Sequence, residues 1–235
     1  MSFNLKNLIK DFEQIQNPEK AKILSRFFKT GKGEYGYGDI FLGITVPQQR
    51  LLVKKFFDLN LQDTIKLLRS KIHEHRLTAL LILVKKFEKE NYERTKENIY
   101  NLYLDNTKYI NNWDLVDLSA PKIVGNFLLN KNREILYKLA KSKDLWEKRI
   151  SIISTFTFIR NFEYLDTIEI SKILLQDKHD LIHKSVGWML REMGKRDINI
   201  LKNFLDNYYK IMPRTMLRYS IEKLPKDIRA YYLKK

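Results

Sequence analysis

A tryptophan and an aspartate lie one helical turn apart in the stretch NNWDLVDLSA, residues 111–120. The flanking sequence is typical of a helix, and side chains four positions apart lie on the same helix face. Trp113 would therefore present its indole ring beside the Asp117 carboxylate. Such a pair fits a buried acid packed against an aromatic ring. It also fits an exposed, negative and aromatic site that binds something positive. The two residues alone leave both alternatives open.

The net charge of the chain indicates a polyanionic partner. It is +16, from 44 Lys and Arg against 28 Asp and Glu. An excess of this size attracts nucleic acid in particular. Two stretches concentrate the charge, residues 131–149 with a net of +4 and residues 191–235 with a net of +7. A lysine-rich source genome is the alternative explanation, because solvated lysines are tolerated on most surfaces.

Composition also bounds the class of protein. A hydrophobic fraction of 44%, with 13 Phe, 13 Tyr and 3 Trp, is that of a folded globular chain. Cysteine is absent, which excludes disulfides and thiolate metal sites. The N-terminal residues lack the pattern of a signal peptide, and the longest apolar run, residues 77–84, is too short to cross a bilayer. We therefore expect a soluble, cytoplasmic protein.

The apolar periodicity predicts helices along almost the whole chain and no strand, so the expected fold is all-α. Capping residues and prolines mark several helix starts. Asn17 precedes Pro18 at the start of a helix that should run to about Lys29, and Asp144 stands three residues before Glu147.

Four predicted helices share a pattern in which a polar or charged residue precedes an apolar stretch. Arg76, Asp117, Arg149 and Lys184 occupy equivalent positions, at steps of 41, 32 and 35 residues. This period is typical of HEAT or armadillo repeats, each a pair of helices. We expect one helical-repeat domain over residues 1–235, a curved superhelical solenoid with a concave basic groove lined by these positions. An irregular helix bundle is the alternative.

Two weaker motifs are interpreted structurally. The stretch GKGEYGYGD, Gly31–Asp39, contains a formal G-x-G-x-x-G, but the strand and helix that a dinucleotide site requires are not predicted around it. We expect a flexible loop. The histidines lack a third ligand at metal-binding spacing, so structural or capping roles are expected for His73, His75, His179 and His183.

Longer motifs carry a resemblance to a known family. They are WDLVD at 113–117, LWEKRISII at 145–153 and HKSVGWMLREMG at 183–194, with NPEKAKILSRFFK, DIFLGITVPQQR and HEHRLTALLIL in the N-terminal half. In combination they resemble the AlkD-type DNA alkylation repair family, over roughly residues 3–220. Members are helical-repeat DNA glycosylases that excise positively charged N3- and N7-alkylated purines from duplex DNA in base excision repair. They do so without flipping the damaged base into a pocket.

The resemblance assigns roles to individual residues. Asp117 matches the catalytic aspartate of the family, Trp113 the tryptophan one turn before it, and Trp188 a second tryptophan of the site. Arg149 matches the groove arginine. The residues that we expect to bind DNA are Arg149, Arg191, Lys184 and Lys148. Two departures are the glycine-rich insert before FLGI and Phe27, where some members have tyrosine and its hydroxyl.

The implied reaction is hydrolysis of the N-glycosidic bond, with alkylated duplex DNA as the partner. A cationic base leaves without protonation, so one carboxylate suffices. No cofactor and no metal are expected, and the protein should act as a monomer associated with the bacterial nucleoid. Two alternatives stay open: a non-catalytic helical-repeat protein that binds branched or distorted DNA, and a scaffold that binds acidic proteins.

Overall fold

The computed structural model describes residues 4–234. Within this range the regular structure is helical, and its one β contact is an isolated parallel bridge between Ile40 and Ile72. The predicted all-α class is confirmed. No helix in the described part of the chain is long and apolar enough to span a membrane. Residues 1–3 and 235 of the predicted domain lie outside the described range.

The chain divides into two compact units. In the first, Met1–Ser119, helix α5 packs against α3, α4 and α6, and α1 packs against α4. A short 3-10 turn, Thr107–Tyr109, precedes α7. The helices that begin in this unit are α1 (Leu5–Ile15), α2 (Pro18–Phe27), α3 (Val46–Lys55), α4 (Leu61–Leu68), α5 (His73–Lys89), α6 (Glu93–Leu104) and α7 (Trp113–Ala120).

The second unit, Ala120–Lys235, is organised around α9 and α11. Helix α9 packs against α8, α10 and α11, and α11 also packs against α12 and α13. A π-helical turn, Pro121–Gly125, contacts α9. The helices of this unit are α8 (Glu134–Ala140), α9 (Leu145–Arg160), α10 (Leu165–Leu174), α11 (Asp180–Gly194), α12 (Ile198–Tyr208), α13 (Arg214–Ser220) and α14 (Lys226–Leu233).

The repeated pattern of the sequence corresponds to the inner helices of these units. Helices α5 and α9 are buried on nearly all sides, which explains why their apolar residues do not form a single stripe. Shorter, more amphipathic helices such as α4 and α12 pack against the inner ones. This arrangement is a helical-repeat fold, as predicted. A single domain over 1–235 and the concave groove stay predictions.

The predicted helix starts are confirmed in atomic detail. The Asn17 side chain accepts a hydrogen bond from the backbone N–H of Lys20 at 3.0 Å. The Asp144 carboxylate accepts from the N–H groups of Trp146 at 2.7 Å and Glu147 at 3.0 Å. Both contacts satisfy donors that the first turn of a helix leaves without a helical partner. Capping is local, so the sequence predicts it well.

The predicted helix ends are less accurate. Helix α2 ends at Phe27 rather than at about Lys29, because Lys29 adopts a positive φ of 52° that a helix does not accommodate. The helix that starts at Trp113 changes to the π turn at Pro121, since proline has no N–H to continue the ladder. The sequence interpretation also missed α14.

Candidate active site

Trp113 begins helix α7, and Asp117 follows one turn later on the same helix. Both residues are half-buried, whereas Leu115 and Val116 between them are fully buried. The indole and the carboxylate therefore keep exposed surface while the opposite face of α7 packs into the first unit. Asp117 is therefore not fully buried, and the role of the pair stays a prediction.

The interior behind Asp117 contains a buried tyrosine. Tyr103 is fully buried, and its hydroxyl lies 3.0 Å from the Ser119 hydroxyl. Burial raises the pKa of Tyr103, and the nearby Asp117 carboxylate raises it further. The Ser119 hydroxyl also donates to the backbone carbonyl of Leu115. Tyr103 therefore stays protonated and supports α7 through a neutral hydrogen bond.

The Trp113 ring is held by aromatic contacts on α2 and the residue that follows it. Phe28 stacks on Trp113 at 5.3 Å between ring centroids, and Phe27 lies edge-on at 5.9 Å. The indole Nε1–H donates to the hydroxyl of Tyr35 at 3.3 Å. Phe27 offers no hydroxyl, as the sequence predicted. The hydroxyl that contacts Trp113 comes instead from the glycine-rich stretch.

A buried cluster of charged groups lies directly beneath the start of α7. The imidazole of His73 bridges two carboxylates, with Nε2 at 2.8 Å from Asp114 and Nδ1 at 3.1 Å from Asp39. Arg76 adds an ion pair to the same Asp39 oxygen at 2.6 Å. Two acids and two cations give a cluster with no net charge. Its acids are 34 and 41 residues from His73 along the chain, so no local motif reveals it.

His73 is an imidazolium in this cluster. Burial lowers the pKa of His73, but the charge and hydrogen bond of Asp114 and the hydrogen bond of Asp39 together outweigh burial and raise that pKa to about 9. Burial works against the charge of Asp39 as well, yet the His73 hydrogen bond and the Arg76 guanidinium lower the pKa of Asp39. Both ring nitrogens of His73 therefore donate to carboxylates, which is the pattern of a structural, charged histidine.

The other predicted histidine roles include a helix cap. His179 is the N-cap of α11, where its Nδ1 accepts from the backbone N–H of Leu181 at 3.2 Å, so the predicted capping role is confirmed. Burial lowers the pKa of His75 to about 4, and Arg76 adds to that effect. In the described residues no group of three or more His, Cys, Asp or Glu is placed to hold a metal ion.

Glu74 anchors the segment that connects the glycine-rich stretch to α3. Its buried carboxylate accepts hydrogen bonds from the backbone N–H groups of Leu42 at 3.0 Å, Gly43 at 2.8 Å and Ile44 at 3.2 Å. Beside Glu74 lies an apolar cavity of about 370 Å³, which Phe28 and His73 also line. Glu74 therefore holds the backbone beside this cavity, and Phe28, which stacks on Trp113, lines the same cavity.

In the second unit, Trp188 lies on α11 and is half-buried. Its Nε1–H donates to the Glu192 carboxylate at 3.2 Å, one turn along the same helix, and Phe156 of α9 lies 6.0 Å from its ring. Arg149 lies on α9 and is 5% exposed. Its Nη1–H donates to the backbone carbonyl of Leu181 at 2.7 Å, which ties α9 to the start of α11.

The predicted cations of the groove are engaged within the protein. Lys148 pairs with Asp177 at 2.7 Å, Lys184 pairs with Asp180 at 2.7 Å, and Arg191 pairs with Glu222. Arg76 and Arg149, expected on the same exposed row, are 3% and 5% exposed, so that expectation is wrong for both residues. The Arg76 guanidinium is needed to neutralise the buried Asp39 carboxylate, and a buried acid requires such a partner.

Two lysines between α8 and α9 have a different environment. Lys141 and Lys143 are exposed, and neither takes part in the ion pairs found among the described residues. They belong to the basic stretch 131–149 that the charge distribution singled out. Exposed lysines without a carboxylate partner bind a phosphate without first breaking an ion pair.

The structure thus brings Trp113 together with Asp117 on one helix of the first unit. It places Arg149, Lys184, Trp188 and Arg191 on two helices of the second unit that pack against each other.

Comparison with known proteins agrees with the resemblance seen in the sequence. Residues 8–224 match the model of a family described as DNA alkylation repair enzyme. A search of curated proteins found no match. The fold is similar to a solved structure described as a predicted DNA alkylation repair enzyme from Enterococcus faecalis, with 16% sequence identity and a TM-score of 0.70. That match covers 90% of this chain and 97% of the other. The chain belongs to the DNA alkylation repair enzyme family.

Proposed function

We propose that this chain is a DNA glycosylase that excises positively charged N3- or N7-alkylated purines from duplex DNA. The observation that carries the proposal is that the half-buried Asp117 lies one turn from the half-buried Trp113 on a single helix. These side chains occur in a chain of net charge +16 that belongs to a DNA alkylation repair family. An acid and an aromatic ring on an otherwise basic protein suit a cationic reacting group rather than the DNA backbone.

The chemistry follows from the charge of the lesion. Alkylation at N3 or N7 places a positive charge on the purine and weakens its glycosidic bond. As the bond breaks, its electron pair goes to the base, which leaves neutral, and the sugar acquires oxocarbenium character. The Asp117 carboxylate stabilises this charge electrostatically and orients the water that attacks the anomeric carbon, and the proton that this water loses passes through the carboxylate to solvent. The base needs no proton to leave, so the reaction uses neither a general acid nor a cofactor.

The indole rings of Trp113 and Trp188 also stabilise positive charge. A cation over an indole face gains ~0.5–2 kcal/mol, more as water is excluded. Trp113 is held at its edge by Tyr35 and Trp188 at its edge by Glu192, so each ring is oriented by a contact that leaves the π face out of the hydrogen bond. We propose Asp117, Trp113 and Trp188 as the catalytic residues, as the family resemblance implies.

Phosphate contacts are proposed for Arg149, Lys148, Lys184 and Arg191, as the family resemblance implies. Each already has a carboxylate or carbonyl partner in the protein. A phosphate must therefore share the cation with that partner. The partner orients the cation and reduces the free energy that the phosphate contact adds to binding. The exposed Lys141 and Lys143 add charge without this competition. We also propose that the protein acts as a monomer on chromosomal DNA.

The test is release of 7-methylguanine or 3-methyladenine from methylated duplex DNA under single-turnover conditions. Wild-type protein should free the base, and Asp117→Asn should slow release at least ~100-fold, as expected for loss of one electrostatic stabiliser. DNA affinity of Asp117→Asn should stay unchanged or rise, because a negative charge near the phosphates is removed. Asp105→Asn, which removes a carboxylate at the end of α6, is the matched control for the charge change.

The alternatives predict different results in the same experiment. A non-catalytic DNA-binding protein would bind the methylated duplex, or a branched junction more tightly, and release no base over hours. A scaffold for acidic proteins would show no preference for duplex DNA over heparin or polyglutamate. Base release that is the same in Asp117→Asn as in wild type would refute the role given to this carboxylate.

A further inference from the structure

The glycine-rich stretch Gly31–Asp39 has a defined conformation. The backbone N–H of Gly36 donates to the Lys29 carbonyl at 3.0 Å, and that of Tyr37 donates to the Glu34 carbonyl at 3.1 Å. The Glu34 carboxylate accepts from the Gly31 N–H at 2.9 Å. The structure places this stretch between helices, as the sequence predicted, and shows it as a series of hydrogen-bonded turns. Nothing in the reaction proposed above gives this stretch a role.

The first contact of this loop with the candidate site is direct. The Tyr35 hydroxyl accepts a hydrogen bond from Trp113 Nε1–H at 3.3 Å. Tyr35 is half-buried, whereas Tyr37, two residues later, is 65% exposed. Side chains of Phe27 and Phe28 touch the Trp113 ring but offer no hydrogen-bond acceptor. Of these three aromatic neighbours, only Tyr35 accepts the indole hydrogen bond. That bond sets the direction of the N–H and so the orientation of the ring within its own plane.

The second contact works through the backbone of α7. Asp39, at the end of the loop, binds His73, and His73 binds Asp114, the residue directly after Trp113. The other Asp114 oxygen accepts from the N–H of Leu115 at 2.9 Å, in the first turn of α7. The chain Asp39–His73–Asp114 thus connects the loop to the start of the helix that carries Asp117.

We propose that the loop Gly31–Asp39 positions the catalytic face of α7, with Tyr35 orienting the Trp113 ring and His73 joining Asp39 to Asp114. Tyr35, Asp39 and His73 are positioning residues, since each acts through Trp113 or α7. The inference rests on the proposed function for its effect on excision. The loop's effect on Trp113 itself is independent of that function.

The charged groups around His73 make this connection dependent on pH. Asp39 faces His73 from the loop, Asp114 from α7 and Arg76 from its own helix, while Lys20 of α2 and Glu74 line the neighbouring cavity. Loss of the His73 proton would leave two carboxylates opposed across a neutral ring that donates to one of them only. Alignment of α7 should therefore loosen as the pH rises through about 9.

The first experiment compares Tyr35→Phe with Tyr37→Phe, which removes a hydroxyl from the exposed tyrosine of the same loop. The readouts are the ¹H–¹⁵N resonance of the Trp113 indole and the single-turnover rate of 7-methylguanine release. Tyr35→Phe should move the indole proton upfield, as loss of a hydrogen bond requires. It should also slow release roughly 10- to 100-fold with DNA affinity unchanged, the effect of a misplaced catalytic group. Tyr37→Phe should change neither.

The second experiment uses His73→Gln, which keeps a hydrogen-bonding side chain but cannot carry the charge. In wild type the ¹⁵N shifts of the His73 ring should be those of an imidazolium at pH 8, and the release rate should fall as the pH rises through about 9. His73→Gln should be slower at pH 7.5 and should lose that fall.

The outcomes separate this inference from the proposed function. An unchanged Trp113 indole resonance in Tyr35→Phe, or a neutral His73 ring at pH 8, overturns the positioning role whatever the activity. A shifted resonance with wild-type release rates also overturns it. If wild-type protein releases no base, the proposed glycosylase fails, and the indole and imidazole spectra alone decide whether the loop positions Trp113.

Discussion

The buried His73 cluster predicts a loss of stability at alkaline pH that is large enough to measure. His73 has its pKa raised from 6.5 to about 9 in the folded protein. A group with a raised pKa binds more protons in the native than in the unfolded state between these two values. Its contribution is therefore fully present below pH 6.5 and is lost as the pH rises through about 9.

The size of the effect follows from the shift. At 1.36 kcal/mol for each pKa unit, the change corresponds to about 3 kcal/mol of unfolding free energy. With a urea dependence of ~1–3 kcal/mol per molar, the midpoint of unfolding should fall by about 1–3 M between pH 6.5 and pH 9.5. Asp39 has a lowered pKa and titrates in acid, so it does not contribute in this range.

The assay is urea unfolding followed by Trp113 fluorescence in a chain that carries Trp146→Phe and Trp188→Phe. The remaining tryptophan then reports on the first unit. His73→Gln in the same background is the control. It should be less stable at pH 6.5 and should lack the alkaline loss. Lys86 has its pKa lowered by burial, but it is present in both proteins and cancels in the comparison. Equal losses in the two proteins would show that His73 is neutral in the fold.

Two further predictions concern other described contacts. Glu74→Ala leaves three backbone N–H groups without an acceptor and should destabilise the first unit by ~3–5 kcal/mol, measured by the same unfolding assay. A loss below ~1 kcal/mol would mean that water replaces the carboxylate. Lys143→Ala should weaken duplex binding and reduce the slope of log affinity against log salt by about 1, while Lys184→Ala, whose cation pairs with Asp180, should change the slope less. A slope in Lys143→Ala that is unchanged from wild type would exclude Lys143 from the DNA contacts.

The sequence predicts what depends on neighbours along the chain. The caps at Asn17 and Asp144 use donors two or three residues away, so residue type and position are sufficient. The pairing of Trp113 with Asp117 follows from helix geometry alone. The His73 cluster does not follow in this way, because each of its contacts with an acid joins residues of different elements.

Equivalent positions in a repeat also differ in ways that the repeat cannot show. Arg76 and Lys184 begin corresponding helices, yet Arg76 is buried against Asp39 while Lys184 keeps 39% of its side chain exposed beside Asp180. The difference comes from the loop that ends at Asp39, which supplies a buried acid next to α5. A pattern of residue types identifies the inner helices, but each helix's packing partners decide which charges reach solvent.

Glu74 accepts hydrogen bonds from the main chain of residues 42–44, which offer the same N–H groups whatever side chains they carry. Among relatives that keep this turn, positions 42 and 44 should therefore accept many residue types, limited only by their own packing. Position 43, with its φ of 81°, should stay glycine, and the acid at 74 should persist. An alignment of such relatives would then show an invariant glutamate with no covarying partner, the signature of a side chain that recognises a backbone shape.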